Sequence, residues 1–317
     1  MNQKQLFSHD YTILGAGISG LTLARSLKAK GKDVLLLEKS KGLGGRMATR
    51  RIGDLRYDHG AQFLRDDGDA FQRLSKLVQN QSPFLPWFQN DVGSYLCGKT
   101  GMTFIAQALG EDLLIERETK VTRLHPFSDH IEIRTDGEKI IRTNHLILTS
   151  PLPQSLELLE TSQISYPQAL KEIRYAKALV LLFEVEAPSS QLQKMNFEVN
   201  PSETIASISN QKLKGIAPRD CFTLIMNPIF SESQFGEEED AVIEKIKAEL
   251  SHLFSEIIQI KNPQLKRWKY SHPFTTYPAM SLALPEENRI ILVGDGFGGG
   301  SILGALRSAF HTIDEML

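Results

Sequence analysis

From Asp10 to Glu38 the chain runs through an apolar segment at 11–14, a glycine turn, a stretch with Ile18, Leu21, Ala24 and Leu27 at spacings of three, Gly31, and a second apolar segment at 34–37. Apolar runs without alternation suit parallel strands buried on both faces, and the spacing of three puts one apolar stripe on a helix. The pattern predicts a βαβ unit. Phe71, Leu74, Leu77 and Val78 predict a helix over 69–79, and Pro83, Pro86 and the neighbouring aromatics predict a linker or crossover after it. Short β-like runs at 113–115, 131–134 and 145–149, closed by Pro151 and Pro153, predict an antiparallel appendage followed by a return strand. Further apolar runs occupy 178–185 and 221–229. The acidic cluster at 237–240 suits the start of a helix whose stripe is Val242, Ile243, Ile246, Leu250, Leu253 and Phe254. A strand at 289–293, a glycine-rich turn and a helix from Ser301 onward complete the pattern.

A length of 317 residues corresponds to roughly two domains. Charged residues at 23% and hydrophobic residues at 41% are ordinary for a globular protein, which argues against disorder, collagen-like repeats and coiled coil. A net charge of −2 supplies no global field for nucleic acid or an anionic membrane, so neither is expected as a partner. Two cysteines, Cys97 and Cys221, are too few for a disulfide framework or a cysteine-built metal site, and no other spaced ligand cluster suggests a metal. A reducing, cytoplasmic setting is expected. The first ten residues lack the apolar stretch of a signal peptide and read as part of the fold. No window reaches the ~18 apolar residues of a membrane span, so a soluble protein is expected.

The residues Gly15, Ala16, Gly17, Ile18, Ser19 and Gly20 fit G-x-G-x-x-G between the first strand and the helix. Its glycines allow a tight turn, close approach of a pyrophosphate, and close helix–strand packing. Glu38, eighteen residues beyond Gly20 at the end of the second strand, stands where a carboxylate accepts hydrogen bonds from a ribose. That carboxylate would repel a 2′-phosphate, so the expected cofactor is NAD or FAD rather than NADP. Next comes the segment from Lys39 to Met47, where Gly44, Gly45 and Arg46 offer amides and a cation to phosphate oxygens a second time.

At this point the chain resembles the flavin-containing amine oxidase superfamily, whose members pair a dinucleotide-binding turn with a Gly-Gly-Arg motif just after the ribose-binding glutamate. The resemblance favours FAD over NAD. It extends to Asp58-His59-Gly60-Ala61-Gln62-Phe63, similar to the family's strand beside the flavin ring, and to Gly294-Asp295 with the glycines at 296–300, similar to its second cofactor motif. It implies ribityl or phosphate-proximal contacts from Asp295. Amides near Ser301 and Ile302 would point at the pyrimidine end of the flavin, where a helix N-terminus stabilises the reduced ring. Further implied cofactor contacts are Lys39, Gly45, Met47, His59, Gly60, Ala61 and Val121. His59 also has a plainer reading as a turn residue satisfied by backbone. Neither cysteine lies just before Gly294 where tethering relatives carry theirs, so FAD is expected to be non-covalent.

Within the superfamily the chain is similar to the renalases and their bacterial relatives. The likeness rests on Gly98-Lys99-Thr100-Gly101-Met102, with Thr100 in place of the group's proline, on Thr149-Ser150-Pro151-Leu152-Pro153-Gln154, and on Lys266-Arg267-Trp268-Lys269-Tyr270. Leu303 departs from the pattern, since many flavin amine oxidases carry an acidic residue there. The resemblance implies oxidation of 2- and 6-dihydro isomers of NAD(P) to NAD(P)+ by hydride transfer to flavin N5, with dioxygen as acceptor. No acid–base residue is assigned. Candidate substrate-wall residues are Gln62, Phe63, Gly101, Met102, Trp268, Tyr270 and Tyr277, whose aromatic faces would sandwich a nicotinamide. The expected fold is α/β, an FAD-binding Rossmann-like domain (1–75, 101–152, 286–317) with a second α+β substrate domain (76–100, 153–285) built of a mixed or antiparallel sheet plus helices. Two other readings stay open: a flavin oxidase or dehydrogenase acting on an amine or lipid-like substrate, and a scaffold or sensor without turnover.

Overall fold

The computed structural model describes residues 7–185 and 190–317. The extreme N-terminal segment, expected to belong to the fold, lies outside the described residues at positions 1–6. The predicted βαβ unit is β1 (Phe7–Leu14), α1 (Ile18–Ala29) and β2 (Val34–Leu37). It sits within an eight-stranded sheet, where β2 pairs in parallel with Leu114–Glu116 on one side and with β1 on the other. Beyond β1 the strand Ile140–Leu148 and then Ile290–Leu292 continue the parallel set, and Leu282–Ala283 closes it antiparallel. Val121–Pro126 and Ile131–Thr135 attach to Ile140–Leu148 as the antiparallel appendage.

Both faces of this sheet are covered, which explains the unbroken apolar runs. Ile13, Leu36 and Ile147 pack toward α1 and the C-terminal helix Ile302–Glu315, with Leu21, Leu27, Leu306 and Phe310. Their strand neighbours Leu14, Leu35, Leu37, Leu146 and Leu148 pack on the opposite side, against Leu152, Leu156 and Leu159 of the helix Leu152–Thr161.

A second, wholly antiparallel sheet takes the order Phe197–Val199, Ile205–Asn210, Cys221–Met226, Tyr175–Val185, Ile260–Pro273. Leu179, Leu181 and Phe183 face the helix Glu239–Phe254, meeting Val242, Ile243, Ile246 and Leu250. Ala178, Val180 and Leu182 face the other way, toward Leu55 and Tyr57 of the strand Leu55–Asp58. That second face looks onto a separate two-stranded hairpin, Thr49–Ile52 with Leu55–Asp58.

Three expectations change. The segment after Pro83 is a hairpin, Phe84–Asn90 with Gly93–Gly98, rather than a linker. Pro86 is tolerated because it lies on an edge strand beside a register shift, where no ladder donor is required. The run at 221–229 ends as a strand at Met226, because Asn227 caps the helix Pro228–Gln234 by accepting a hydrogen bond from Phe230 N at 2.8 Å. The run at 113–115 joins the parallel set through Leu114–Glu116 instead of the antiparallel appendage, whose outer strand is Val121–Pro126. Charged and polar residues alternate irregularly in that outer strand, so its composition does not announce it.

The layers are joined by a fully buried ion pair. Lys214 Nζ, from the loop between two strands of the second sheet, lies 2.7 Å from Asp58 Oδ2, and both side chains are 0% exposed. Asp58 Oδ1 accepts from Thr49 Oγ1 at 2.5 Å and from Met102 N at 2.8 Å, and the Lys214 ammonium also stands 4.6 Å from the Trp87 ring centre. Cys97 and Cys221 are buried as well, and burial pushes their thiols up to about 11 and about 12. Among the described residues no helix is long and apolar enough to cross a membrane. Removing one member of a buried pair strands the other, so Lys214→Met alone is expected to lower unfolding stability by about 3–5 kcal/mol. Urea unfolding of Lys214→Met, set beside the double variant with Asp58→Asn, checks this: the double variant should be the more stable of the two.

Candidate active site

A cavity of about 1320 Å³ opens between the carboxyl ends of the parallel strands and the inner face of the antiparallel sheet. Carboxyl ends of strands are where open α/β sheets bind ligands. At its head Gly15, at φ +105°, donates its N–H to Leu37 O at 2.8 Å, and a Cβ on Gly20 would stand 2.0 Å from Gly15 O. Only glycine permits that crossing. Gly17 caps α1 and lines the cavity, and a Cβ there would meet no described atom within 4 Å. A helix N-terminus facing open space is suited to an anion.

Glu38, 7% exposed, is set by backbone: Ala16 N donates to Oε2 at 2.8 Å and Ser40 N to Oε1 at 2.7 Å. Each carboxylate oxygen keeps a second acceptor site for a hydroxyl group. Gly44 N donates to Ala16 O, which docks the Gly-Gly-Arg turn onto the first glycine loop. Arg46 then reaches across the cavity to form a two-pronged pair with Asp295, Nη1 to Oδ2 at 2.5 Å and Nη2 to Oδ1 at 2.8 Å. It also donates to Ser271 O at 3.2 Å. Burial lowers the guanidinium pKa, Asp295 more than offsets this, and the group stays charged. Asp295 is held by a turn in which Gly294 N donates to Ser308 Oγ at 2.9 Å, and a Cβ on Gly298 would sit 1.8 Å from Gly304 O. Ser301 caps the C-terminal helix, accepting from Gly304 N at 3.1 Å, and lines the cavity with Ile302.

The strand that ends at Asp58 continues as the cavity wall. A Cβ on Gly60 would lie 1.9 Å from Arg46 O, and Ala61 N donates to that same oxygen at 2.8 Å. His59 O accepts from Trp268 Nε1 at 2.6 Å, and the two rings stack with centroids 5.4 Å apart. Burial pulls the His59 pKa down to about 4, so the ring is neutral at ordinary pH, and its Nδ1 has no partner among the described residues. Gln62 folds back to donate to Asp58 O at 2.7 Å and accepts from Ser209 Oγ at 2.8 Å. Phe63 meets Tyr95 edge-on at 4.8 Å, and Tyr270 meets Tyr175 edge-on at 6.1 Å.

The cavity therefore brings together Gly15, Gly17, Ile18, Ser19, Glu38, Lys39, Gly45, Arg46, Met47, His59, Gly60, Ala61, Val121, Asp295, Ser301 and Ile302 from the expected cofactor set. Gln62, Phe63, Trp268 and Tyr270 join them from the expected substrate set. Ala16 and Gly20 lie behind the wall, one serving Glu38 and the other the glycine crossing. Gly101, Met102 and Tyr277, also expected at the substrate wall, do not line this cavity. Gly101, at φ +108°, is packed so that a Cβ would come 2.5 Å from the Thr49 side chain; Met102 is fully buried with its amide on Asp58; Tyr277 packs edge-on against Phe297 at 5.8 Å.

Sequence reasoning assigned no role to Gln154, whose Oε1 accepts from Lys39 Nζ at 3.2 Å, to Ala178, Val180 and Ile225 on the inner sheet face, or to Tyr175. The strand residues gave no signal because a run apolar at every position does not say which face is which. Leu303 lines the cavity as an apolar group.

Residues 13–80 match the NAD(P)-binding Rossmann-like domain, and residues 81–317 match flavin containing amine oxidoreductase. A carotenoid 3,4-desaturase of Haloarcula japonica is 44% identical over 71 residues, 22% of this chain and 14% of the desaturase. A UDP-galactopyranose mutase of Mycoplasma pneumoniae is 31% identical over 126 residues, 38% of this chain and 30% of the mutase. The chain thus spans less than a third of the length of either curated relative. The crystal structure of a CLA-producing fatty acid isomerase from P. acnes superimposes with a TM-score of 0.71 at 12% identity, covering 98% of this chain and 99% of the isomerase, which shows a shared fold. Because the second match takes in more than half of the chain, from just before the hairpin to the C-terminal helix, the protein belongs to the flavin containing amine oxidoreductase family.

Proposed function

We propose that this protein is an FAD-dependent oxidase that takes hydride from the 2- and 6-dihydro isomers of nicotinamide dinucleotides, with dioxygen as the electron acceptor. The family supplies the flavin, and the residues of the cavity suit it. Glu38 would hold the ribose, the α1 N-terminus and Arg46 the phosphates, and the small residues Gly60 and Ala61 would let the wall approach the ring. Ser301 and Ile302 would present the N-terminus of the C-terminal helix to the ring edge, favouring negative charge there. When bound, FAD would supply the hydride-accepting N5 atom and pass the electron pair to dioxygen.

The observation that carries the substrate reading is the chemistry of the cavity lining. Phe63, Trp268, Tyr270, Leu303, Ala178 and Val180 give it aromatic and apolar surface. Two of the cavity-lining carboxylates are held by neighbours: Glu38 accepts from two amides, and Asp295 pairs with Arg46. His59, with its pKa near 4, is a poor base at neutral pH. A dihydropyridine that gives up hydride becomes an aromatic cation and has no proton to lose. Stacking and orientation are then sufficient. An amine, by contrast, must lose a proton as well as a hydride.

Anaerobic titration of the purified protein with 2- and 6-dihydroNAD(P) is expected to bleach the visible oxidised-flavin band stoichiometrically, while 4-dihydroNADH and a panel of amines leave it intact. Bleaching by amines alone would move the substrate to that class, and no bleaching by any reductant would sink the enzyme reading. The rate of flavin reduction should be flat from about pH 6 to about pH 8, since His59 takes up its proton only near 4 and burial, with the Arg46 charge beside it, also pulls the pKa of the other cavity imidazole, His272, below its ordinary value. A stopped-flow profile that changes about tenfold across that range would reveal a titrating base and count against proton-free hydride transfer. Gly60→Ala forces a methyl group onto Arg46 O and is expected to weaken FAD binding by about tenfold or more, read by flavin fluorescence on dialysis.

A further inference from the structure

Tyr175 does not line the cavity, yet it touches the groups that do. It opens the strand Tyr175–Val185 and so belongs to the antiparallel sheet rather than to the layer carrying the glycine loops. Its hydroxyl donates to Asp295 Oδ1 at 3.1 Å and accepts from Leu152 N at 3.5 Å. The Arg46 guanidinium stands 5.7 Å from the centre of its ring, within reach of a cation–π contact. A Cβ on Gly296 would come within 3.0 Å of the Tyr175 oxygen, so the turn that carries Asp295 is packed directly on this hydroxyl. The ring also meets Tyr270, which does line the cavity.

Asp295 Oδ1 is thereby shared between the Tyr175 hydroxyl and Arg46 Nη2, while Oδ2 takes Arg46 Nη1. One more donor on Oδ1 fixes the rotation of the carboxylate and keeps both of its oxygens aligned with the guanidinium fork. Burial, together with the Asp295 charge, raises the Tyr175 pKa, so the phenol remains a donor throughout the working pH range. Arg46 is gripped by three groups: the Asp295 carboxylate, Ser271 O and the Tyr175 ring.

We propose that Tyr175 is a positioning residue that sets the Arg46–Asp295 clamp in its cofactor-binding orientation and ties that clamp, through Tyr270, to the substrate wall. The proposal rests on the reading that the cavity holds FAD. Its physical content is that a hydroxyl group of the antiparallel sheet sets the orientation of the Asp295 carboxylate. Loss of that hydroxyl frees the clamp without creating a large void, because phenylalanine keeps the ring.

The test is a double-mutant cycle on FAD affinity, measured by the recovery of free-flavin fluorescence for wild type, Tyr175→Phe, Asp295→Asn and the double variant. Tyr175→Phe is expected to weaken FAD binding by about tenfold, the size of a hydrogen bond to a charged acceptor, with the FAD-free protein still unfolding in one cooperative transition. In the Asp295→Asn background the same substitution should change affinity by less than about twofold, because the carboxylate it orients is gone. Unchanged affinity in Tyr175→Phe would overturn the proposal. So would an equal loss in both backgrounds, which would mark a merely structural role. Failure of the wild type itself to bind FAD would overturn the flavin reading and this inference with it, and the wild-type arm reports that outcome separately. A shift of KM for the oxidised substrate in Tyr175→Phe at saturating FAD, with Tyr270→Leu removing it, would support the second link to the substrate wall.

Discussion

A carboxylate and an ammonium that face each other without solvent hold this molecule in register. Taking two charges out of water costs several kcal/mol for each ion, and the cost is recovered only while geometry is good and the remaining acceptors are satisfied. Around Asp58 and Lys214, Thr49 and Met102 donate to the second carboxylate oxygen, and the Trp87 ring centre stands 4.6 Å from the ammonium. The apolar contacts between the layers, such as those of Leu55 and Tyr57 with the Val180 face of the second sheet, are non-directional and would tolerate sliding. The ion pair would not. A small displacement would leave two charges buried and apart, so the loop of the second sheet that carries Lys214 and the hairpin that carries Asp58 are fixed in one arrangement.

That arrangement sets the site because the chain runs directly from Asp58 into the cavity wall. Over the short stretch from Asp58 to Gln62 the backbone accepts a hydrogen bond from Trp268 of the second sheet, packs Gly60 on Arg46, and returns Gln62 to both Asp58 and Ser209. The cavity wall at His59 and the turn that carries Arg46 are consequently held by one segment. Tyr175 makes a second crossing between the same two layers. Groups held this way need little reorganisation when a planar ligand enters, and positioning of that kind is the main contribution a protein can make when the cofactor carries the reactive atom.

The same fold appears in a fatty acid isomerase, and stretches of sequence are shared with a desaturase and a sugar nucleotide mutase. Fold by itself therefore leaves the substrate open, and chemistry has to be argued from the walls. Here those walls combine an apolar residue at Leu303, a neutral imidazole at His59, and the carboxylates of Glu38 and Asp295, held by amides and by Arg46 respectively.

The residues of the glycine turn, Glu38 and the Gly-Gly-Arg segment were legible in the sequence because their requirements are local: a crossing that admits no Cβ, a helix N-terminus, and a carboxylate one strand later. The buried strands were legible too, from runs that never alternate. The same lack of alternation hid which residues of Tyr175–Val185 face the cavity, since nothing within a strand apolar at nearly every position distinguishes its two sides. Gly101 and Met102 were expected at the substrate wall by likeness of motif and Tyr277 as an aromatic face, whereas in the fold they pack against Thr49, Asp58 and Phe297. The pairings of Asp58 with Lys214 and of Arg46 with Asp295 join distant parts of the chain. Sequence supplied the charges, and only the folding of one sheet over the other decided which of them would meet, because a buried charge selects its partner by distance in space and carries no mark of it along the chain.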